Sequence, residues 1–219
     1  MKKVYIVRHG QSEGNISNVY QPFESPLTPE GKKQAEYIAE RVLRLPIDSI
    51  IASPQDRAKE TAQIIAEKLN KTIEFSDLFV ERIKPSELSG RSHDDPAARK
   101  LAAEWNTALF ASGVKTGNGE NFNEIKTRAL KALDFLAKLP EEHILVITHG
   151  FFMRTIAVCV LFGEDFDGEI FRKFVLNTRT KNTGLSIFEY DESAEGLPWK
   201  LLVWNDHAHL ADPKLNRSA

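Results

Sequence analysis

VYIVRHGQSEGN runs from Val4 to Asn15. Its first four residues, Val4 to Val7, are strand formers, and they lead straight into Arg8, His9 and Gly10. A buried strand that delivers a cation and an imidazole at its exit is organised around something placed there. The run HILVITHG, His143 to Gly150, repeats the pattern: a continuous apolar stretch suited to a strand buried on both faces, again ending in His-Gly. Each glycine is expected to let the backbone turn sharply and leave its imidazole exposed.

Helices separate these strands. Thr28-Pro29-Glu30 offers a cap residue with proline at the first helical position, and Ala35, Ile38, Ala39, Val42 and Leu43 then form one apolar stripe before Pro46 stops it. Ile47 to Ser53 reads as a second strand. Ser53-Pro54 is expected to start the next helix by the same capping chemistry, with a stripe of Ala58, Thr61, Ala62, Ile65, Ala66 and Leu69, and a short strand follows at Thr72 to Phe75. From Glu81 to Gly119 the pattern loosens around a short helical stretch at Ala97 to Phe110, which reads as an insertion over one edge of the core. Ile125, Ala129, Ala132, Leu133 and Leu136 mark another helix, and Phe151 to Leu161 a further one. The strands GLSIFEY and WKLLVWN complete the chain, with a frayed tail after Asp212. Strands alternating with amphipathic helices predict an α/β fold: a three-layer sandwich, a mainly parallel central sheet with helices on both faces. The expected organisation is one domain over 1–219 with a small inserted cap at about 82–120.

A chain of 219 residues, 42% hydrophobic and 27% charged, fits one globular core. A net charge of −2 argues against a nucleic-acid-coating surface. The single cysteine, Cys159 in IAVCVLF, permits neither an intrachain disulfide nor a thiolate cluster and reads as a core residue. No signal-type apolar region and no long apolar run occurs, so the expected setting is cytoplasmic, with no membrane partner.

In open α/β sheets ligands bind beyond the carboxyl ends of the strands, where strand order reverses. Arg8, His9 and His149 lie at two such ends. At a third, SPQDRAKETA places Arg57 in the first turn of a helix whose free N–H groups favour an anion. Four donors with no matching buried acid call for a multiply charged oxyanion, phosphate above all. Competing signatures fail. No GxxxxGK[ST] or G-x-S-x-G is present, and GNGENF at Gly117 to Phe122 lacks both the last glycine and a preceding strand. His207 and His209 lack a third metal ligand, and EDFDGE at Glu164 to Glu169 lacks the closing acid of a calcium loop, so no metal site and no cofactor is expected.

RHGQSEGN, LTPEGKKQA, SPQDRAKETA, LFVERIKPSELSG, GEN at Gly119 to Asn121, ITHG, NTGLSIFEY and NDHAHL, in this order across residues 4 to 210, resemble the histidine phosphatase superfamily in its phosphoglycerate mutase-like branch. The resemblance implies that His9 is the nucleophile accepting a phosphoryl group. It implies that Arg8, Arg57 and His149, with Asn15, form the phosphate pocket, and that Glu81 protonates the leaving oxygen and then activates water. Phosphoryl transfer rests on positioning and charge stabilisation, which fixed arginines supply. Imidazole attacks only when neutral, so neighbouring arginines act in the useful direction, and its second nitrogen must be held by a carbonyl or carboxylate. A general acid at neutral pH needs a raised pKa, and burial under the inserted segment is the expected source of one. Glu87, Asp94 and Glu120 are rivals for that role, and a surface ion pair with Arg82 is the plain alternative for Glu81.

Mutase members carry a distinct phosphate-contacting stretch before LT. Here that interval is ISNVYQPFESP, Ile16 to Pro26, without a clear match, and the longer extensions expected of mutases are lacking. Hydrolysis of a small phosphomonoester is therefore the preferred expectation. A cofactor-dependent phosphoglycerate mutase-type phosphotransferase and a non-catalytic phospho-ligand binder are the alternatives, and a homodimer is left open. Substrate choice is expected from Tyr20 to Phe23 and from the insertion, which holds Arg82, Lys84, Arg91, His93, Arg99, Lys100 and Lys115.

Overall fold

The computed structural model describes residues 1–111 and 113–211; the tail after Asp212 lies outside the described residues. Six strands form one sheet: β1 (Lys2–Arg8), β2 (Ser49–Ala52), β3 (Ile73–Phe75), β4 (His143–Thr148), β5 (Leu185–Tyr190) and β6 (Trp199–Asp206), in the order β3-β2-β4-β1-β5-β6. The pairs β2/β3, β2/β4 and β1/β4 are parallel, while β1/β5 and β5/β6 are antiparallel. The sheet is thus mainly parallel, as the sequence predicts.

Strand alternation divides the core. Val4 and Ile6 of β1 and Ile144 and Val146 of β4 pack on one face against helices α5 (Phe122–Lys138) and α6 (Gly150–Phe162). Tyr5, Val7, Leu145 and Ile147 pack on the other against α2 (Pro29–Val42) and α3 (Asp56–Leu69). Because both faces of β1 and β4 are covered, their sequences are continuously apolar rather than alternating. The chain leaves β1 and β4 toward opposite sides of the sheet, making the β1/β4 boundary the point where strand order reverses.

Several local expectations change. Helix α3 starts later than Ser53-Pro54, with Gln55 at its N-cap, and the Ser53 hydroxyl accepts the Gln55 N–H while meeting His149 Nε2. Leu43, expected in the α2 stripe, is the exposed C-cap residue. A one-turn helix α1 (Glu13–Ile16) and a helix α7 (Gly168–Asn177) were not anticipated. Asp167, read in EDFDGE, caps α7 by accepting the N–H groups of Glu169 and Ile170. Asn121 of GNGENF likewise caps α5 through a reciprocal box with Glu124. Cys159 is buried, and burial pushes its thiol up to about 12. Among the described residues no helix is long and apolar enough to cross a membrane.

The segment Arg82 to Glu120 holds a turn, Ser86–Leu88, and helix α4 (Pro96–Ala108). Leu88, Ala98 and Ala102 give it a small apolar cluster of its own, against which Tyr20 packs. The Tyr20 N–H donates to Arg91 O, the Gly90 N–H donates to Tyr20 O, and Val19 bridges Ser92. The two segments expected to govern substrate choice are therefore zipped to each other.

Candidate active site

Parallel pairing aligns Arg8 with Thr148, so the residues that follow, His9 and His149, stand side by side at the carboxyl edge with ring centroids 5.0 Å apart. The His9 N–H donates to Thr148 O at 3.0 Å. Neither ring is exposed as the sequence reading expects: His9 is 2% and His149 0% accessible. Nor do the glycines act through turn geometry, since neither Gly10 nor Gly150 has a positive φ. They allow close approach. A Cβ on Gly10 would lie 2.4 Å from Gly31 O, and one on Gly150 would lie 2.5 Å from Thr180 Oγ1 and 3.2 Å from Arg8 Nε.

The missing partner of His9 is its own neighbour. Nδ1 lies 2.7 Å from Gly10 O, and a carbonyl only accepts, so Nδ1 carries the proton and Nε2 keeps a lone pair. Burial, then Arg57 and Arg8, hold this imidazole well below the ordinary histidine range against the opposing effect of the Gly10 bond. His149 is depressed in the same way by burial, Arg57, His9, Arg8 and Arg128. Its Nε2 sits 2.8 Å from Ser53 Oγ, which already accepts the Gln55 N–H. The Ser53 proton is then free to go to Nε2, leaving Nδ1 as an N–H donor.

Arg8 donates through Nη1 to Thr180 O at 2.7 Å, and Arg57 reaches Pro22 O at 3.4 Å. Burial lowers both guanidinium groups, Arg57 to about 10, while Glu81 opposes the shift in each. Arg8 Nε, Arg57 Nε and His149 Nδ1 are buried without a protein partner. Half of the six such atoms among the described residues fall in this one cluster, and all three are nitrogens.

Glu81 faces the same cluster from the loop after β3. Its Oε1 accepts the N–H groups of Arg82 at 3.0 Å and Phe152 at 3.1 Å, and its Oε2 that of Phe151 at 3.2 Å, so the carboxyl caps the start of α6. The surface pair with Arg82 does not form. The Arg82 guanidinium stacks 3.4 Å above Trp105 and donates to Asn106 Oδ1 and Trp105 O. The rivals for Glu81 are engaged or remote. Glu120 binds Arg128 at 2.7 and 2.8 Å, Asp94 accepts from Asn18, and Glu87 is exposed.

Asn15 is brought near His9 indirectly. Its Oδ1 accepts the Ser12 N–H and the Nδ2 group of Asn182, and that same Nδ2 donates to His9 O at 2.9 Å. Of the cations assigned to substrate choice, Arg91 pairs with Asp95 and Lys115 with Glu124, while Lys84 stays beside the cluster, lowered by burial and Arg57. Lys84 also lines a cavity of about 760 Å³ with Phe23, Leu78, Val80, Glu81 and Ile83. A second hollow of about 470 Å³, on the other side of Glu81, is lined by Arg8, Arg154 and Arg179.

Sequence reasoning missed Ser53, Asn182, Arg128 and Arg154. Ser53 reads as a helix cap, and Asn182 enters only within the matched run NTGLSIFEY, without a role. Arg128 donates to Leu78 O, Val80 O and, at 3.4 Å, Glu81 O, pinning the Glu81 loop from α5. Nothing in the helical stripe of α5 marks that role.

Known proteins place this geometry in a family. The model for the histidine phosphatase superfamily (branch 1) matches residues 4–207. A probable phosphoglycerate mutase GpmB of Enterobacter sp. (strain 638) is 31% identical over 226 residues, covering 99% of this chain and 98% of that one, and one of Yersinia pestis (strain Pestoides F) is 30% identical over 225 residues with the same coverage. Chain length therefore does not separate this protein from relatives carrying the mutase name. Among solved structures, Bacillus stearothermophilus YhfR superposes with a TM-score of 0.81 at 23% identity, covering 96% of this chain and 100% of that one. The alpha-ribazole phosphatase of Shigella flexneri gives 0.77 at 19%, covering 93% and 96%. With the His-Gly strand ends, the fold and the sequence match agreeing over almost the whole length, the chain belongs to the histidine phosphatase superfamily, branch 1.

Proposed function

We propose that this protein hydrolyses a small phosphomonoester through a covalent phosphohistidine on His9. The observation carrying the reading is the set of buried nitrogens without protein partners, Arg8 Nε, Arg57 Nε and His149 Nδ1, gathered around an imidazole whose Nε2 keeps its lone pair. A phosphoryl group offers oxygens to those nitrogens and phosphorus to Nε2.

In the first step Nε2 attacks phosphorus as the ester P–O bond breaks, and Glu81 in its protonated form gives its proton to the leaving oxygen. In the second, the Glu81 carboxylate takes a proton from water as that water's oxygen attacks phosphorus. The N–P bond breaks, returning neutral His9 and inorganic phosphate. Arg8, Arg57, His149 and Asn15 bind the equatorial oxygens, where charge accumulates. The cavity of about 760 Å³ beside Glu81 has room for the leaving group, and segment 82–120 serves as its cap. The partner is a small phosphorylated molecule.

A second reading has one specific support. The full-length relatives at about 30% identity bear the name probable phosphoglycerate mutase. Against it, in the interval Ile16 to Pro26 the Gln21 amide is engaged by Ser12 and Ser25 and Pro22 O accepts from Arg57. The two activities separate by product. With 3-phosphoglycerate, and with and without a bisphosphoglycerate primer, release of inorganic phosphate should exceed formation of 2-phosphoglycerate. Isomer formation outpacing phosphate release would assign the mutase activity. Neither product, with no turnover on a broad panel of monoesters, would leave a phospho-ligand binder.

A further inference from the structure

Thr183 is fully buried and sits at φ +56°, in the left-handed region that a β-branched residue adopts only under constraint. Its surroundings supply the constraint. The Thr183 N–H donates to Arg8 O at 2.9 Å, with His9 O at 3.4 Å as a longer second acceptor, while Asn182 Nδ2 donates to His9 O. The backbone that presents the arginine and the histidine is thus gripped by two consecutive residues of one turn.

The turn is fastened from the far end of the chain. Thr183 Oγ1 donates to Asn182 O at 2.8 Å, so its remaining contact, His209 Nε2 at 2.9 Å, must be a donor. That leaves His209 Nδ1 as the acceptor facing Arg41 Nη1 at 3.4 Å, and Arg41 in turn pairs with Asp206. The donors run in one direction, from Arg41 to His209 to Thr183 to the Asn182 carbonyl. This requires a neutral His209; burial and Arg41 lower it to about 4, with Asp206 opposing and His207 adding slightly. His207 itself turns away, to Asn205 O. The arrangement gives NTG and NDHAHL, which the reaction steps leave without a role, a shared one.

We infer that Thr183 and His209 form a clasp that positions the Arg8-His9 backbone, so that His9 Nε2 meets phosphorus in line; both are positioning residues and neither touches the substrate. The inference rests on His9 being the nucleophile. A purely structural role makes a different forecast, because glycine adopts φ +56° without constraint. If Thr183 only fills space in a turn, Thr183→Gly should keep full activity.

The test is rapid-quench measurement of His9 phosphorylation by labelled p-nitrophenyl phosphate in the full-length protein, alongside KM and thermal midpoint. Thr183→Val, Thr183→Gly and His209→Leu should each slow the first turnover by about 10- to 100-fold, the scale of a small misplacement of reacting groups. KM should change by less than about threefold, and each loss of rate should exceed the fraction of that variant that is unfolded at the assay temperature. Thr183→Ser, which keeps the hydroxyl, should restore most of the rate. Wild-type phosphorylation rates in the Gly and Val variants overturn the clasp, as do losses that follow only the unfolded fraction. An unlabelled wild type overturns the nucleophile assignment first and the clasp with it, and is distinguished by needing no variant.

Discussion

His9 and His149 face one another at the ends of adjacent parallel strands, 5.0 Å between ring centroids, and neither ring has a carboxylate partner. One is held by its neighbour's carbonyl and the other by a serine hydroxyl. Both therefore stay neutral in a setting dominated by arginine, which suits one for attack and the other for donation.

This neutrality has a consequence for stability. Unfolded, each imidazole protonates near about 6.5. In the native state, burial and Arg57 move both well below that value. Between the two values the unfolded chain binds more protons, so their contribution is intact above about pH 6.5 and is lost as pH falls toward the native values. The slope approaches about 1.4 kcal/mol per pH unit for each histidine. Urea unfolding between pH 5 and 8 should show stability declining below 6.5, and His149→Asn should flatten that decline. A stability that rises on acidification through this window contradicts the assignment of neutral imidazoles.

Glu81 is expected to act in protonation of the leaving group and in activation of water. Glu81→Gln should lower kcat for alkyl phosphates by about 10²- to 10⁴-fold. With p-nitrophenyl phosphate, whose leaving group needs little protonation, the first turnover should be nearly normal while the phosphoenzyme accumulates. Equal losses in the first turnover for both substrates count against the proton-donor role.

Much of this site was legible in VYIVRHG and HILVITHG because buried parallel strands are written as continuous apolar runs, and residues at their ends share one edge. The Arg8 to Thr148 register then brings the histidines together without further information. What the sequence could not show were contacts set by tertiary packing. Ser53 looked like a helix cap but holds His149 Nε2. Arg128 looked like the polar face of α5 but binds the loop that carries Glu81. Gly10 looked like a turn residue and is a contact residue.

Gly10→Ala would place a methyl 2.4 Å from the Gly31 carbonyl, a backbone atom that cannot swing aside. A cost of about 1–3 kcal/mol follows from overpacking, and displacement of Gly10 O also loosens the His9 Nδ1 bond. Both the thermal midpoint and kcat should fall. A variant with native stability and activity would mean that the close approach carries no weight.

Arg128 and Glu120 form a nearly buried pair with two short bonds. Arg128→Met leaves Glu120 without its cation and frees three carbonyls, so about 3–5 kcal/mol of stability should be lost in denaturant titration. Adding Glu120→Gln should recover part of that loss, since the two changes share one interaction. Strictly additive losses would argue against coupling.

The central claim is a phosphoryl group carried on His9. Brief incubation with a labelled phosphomonoester, split between acid and base quench, tests it most directly. The account predicts label on the protein that survives base, is lost in acid and is absent from His9→Ala. Label that survives acid, or that persists in His9→Ala, would contradict it.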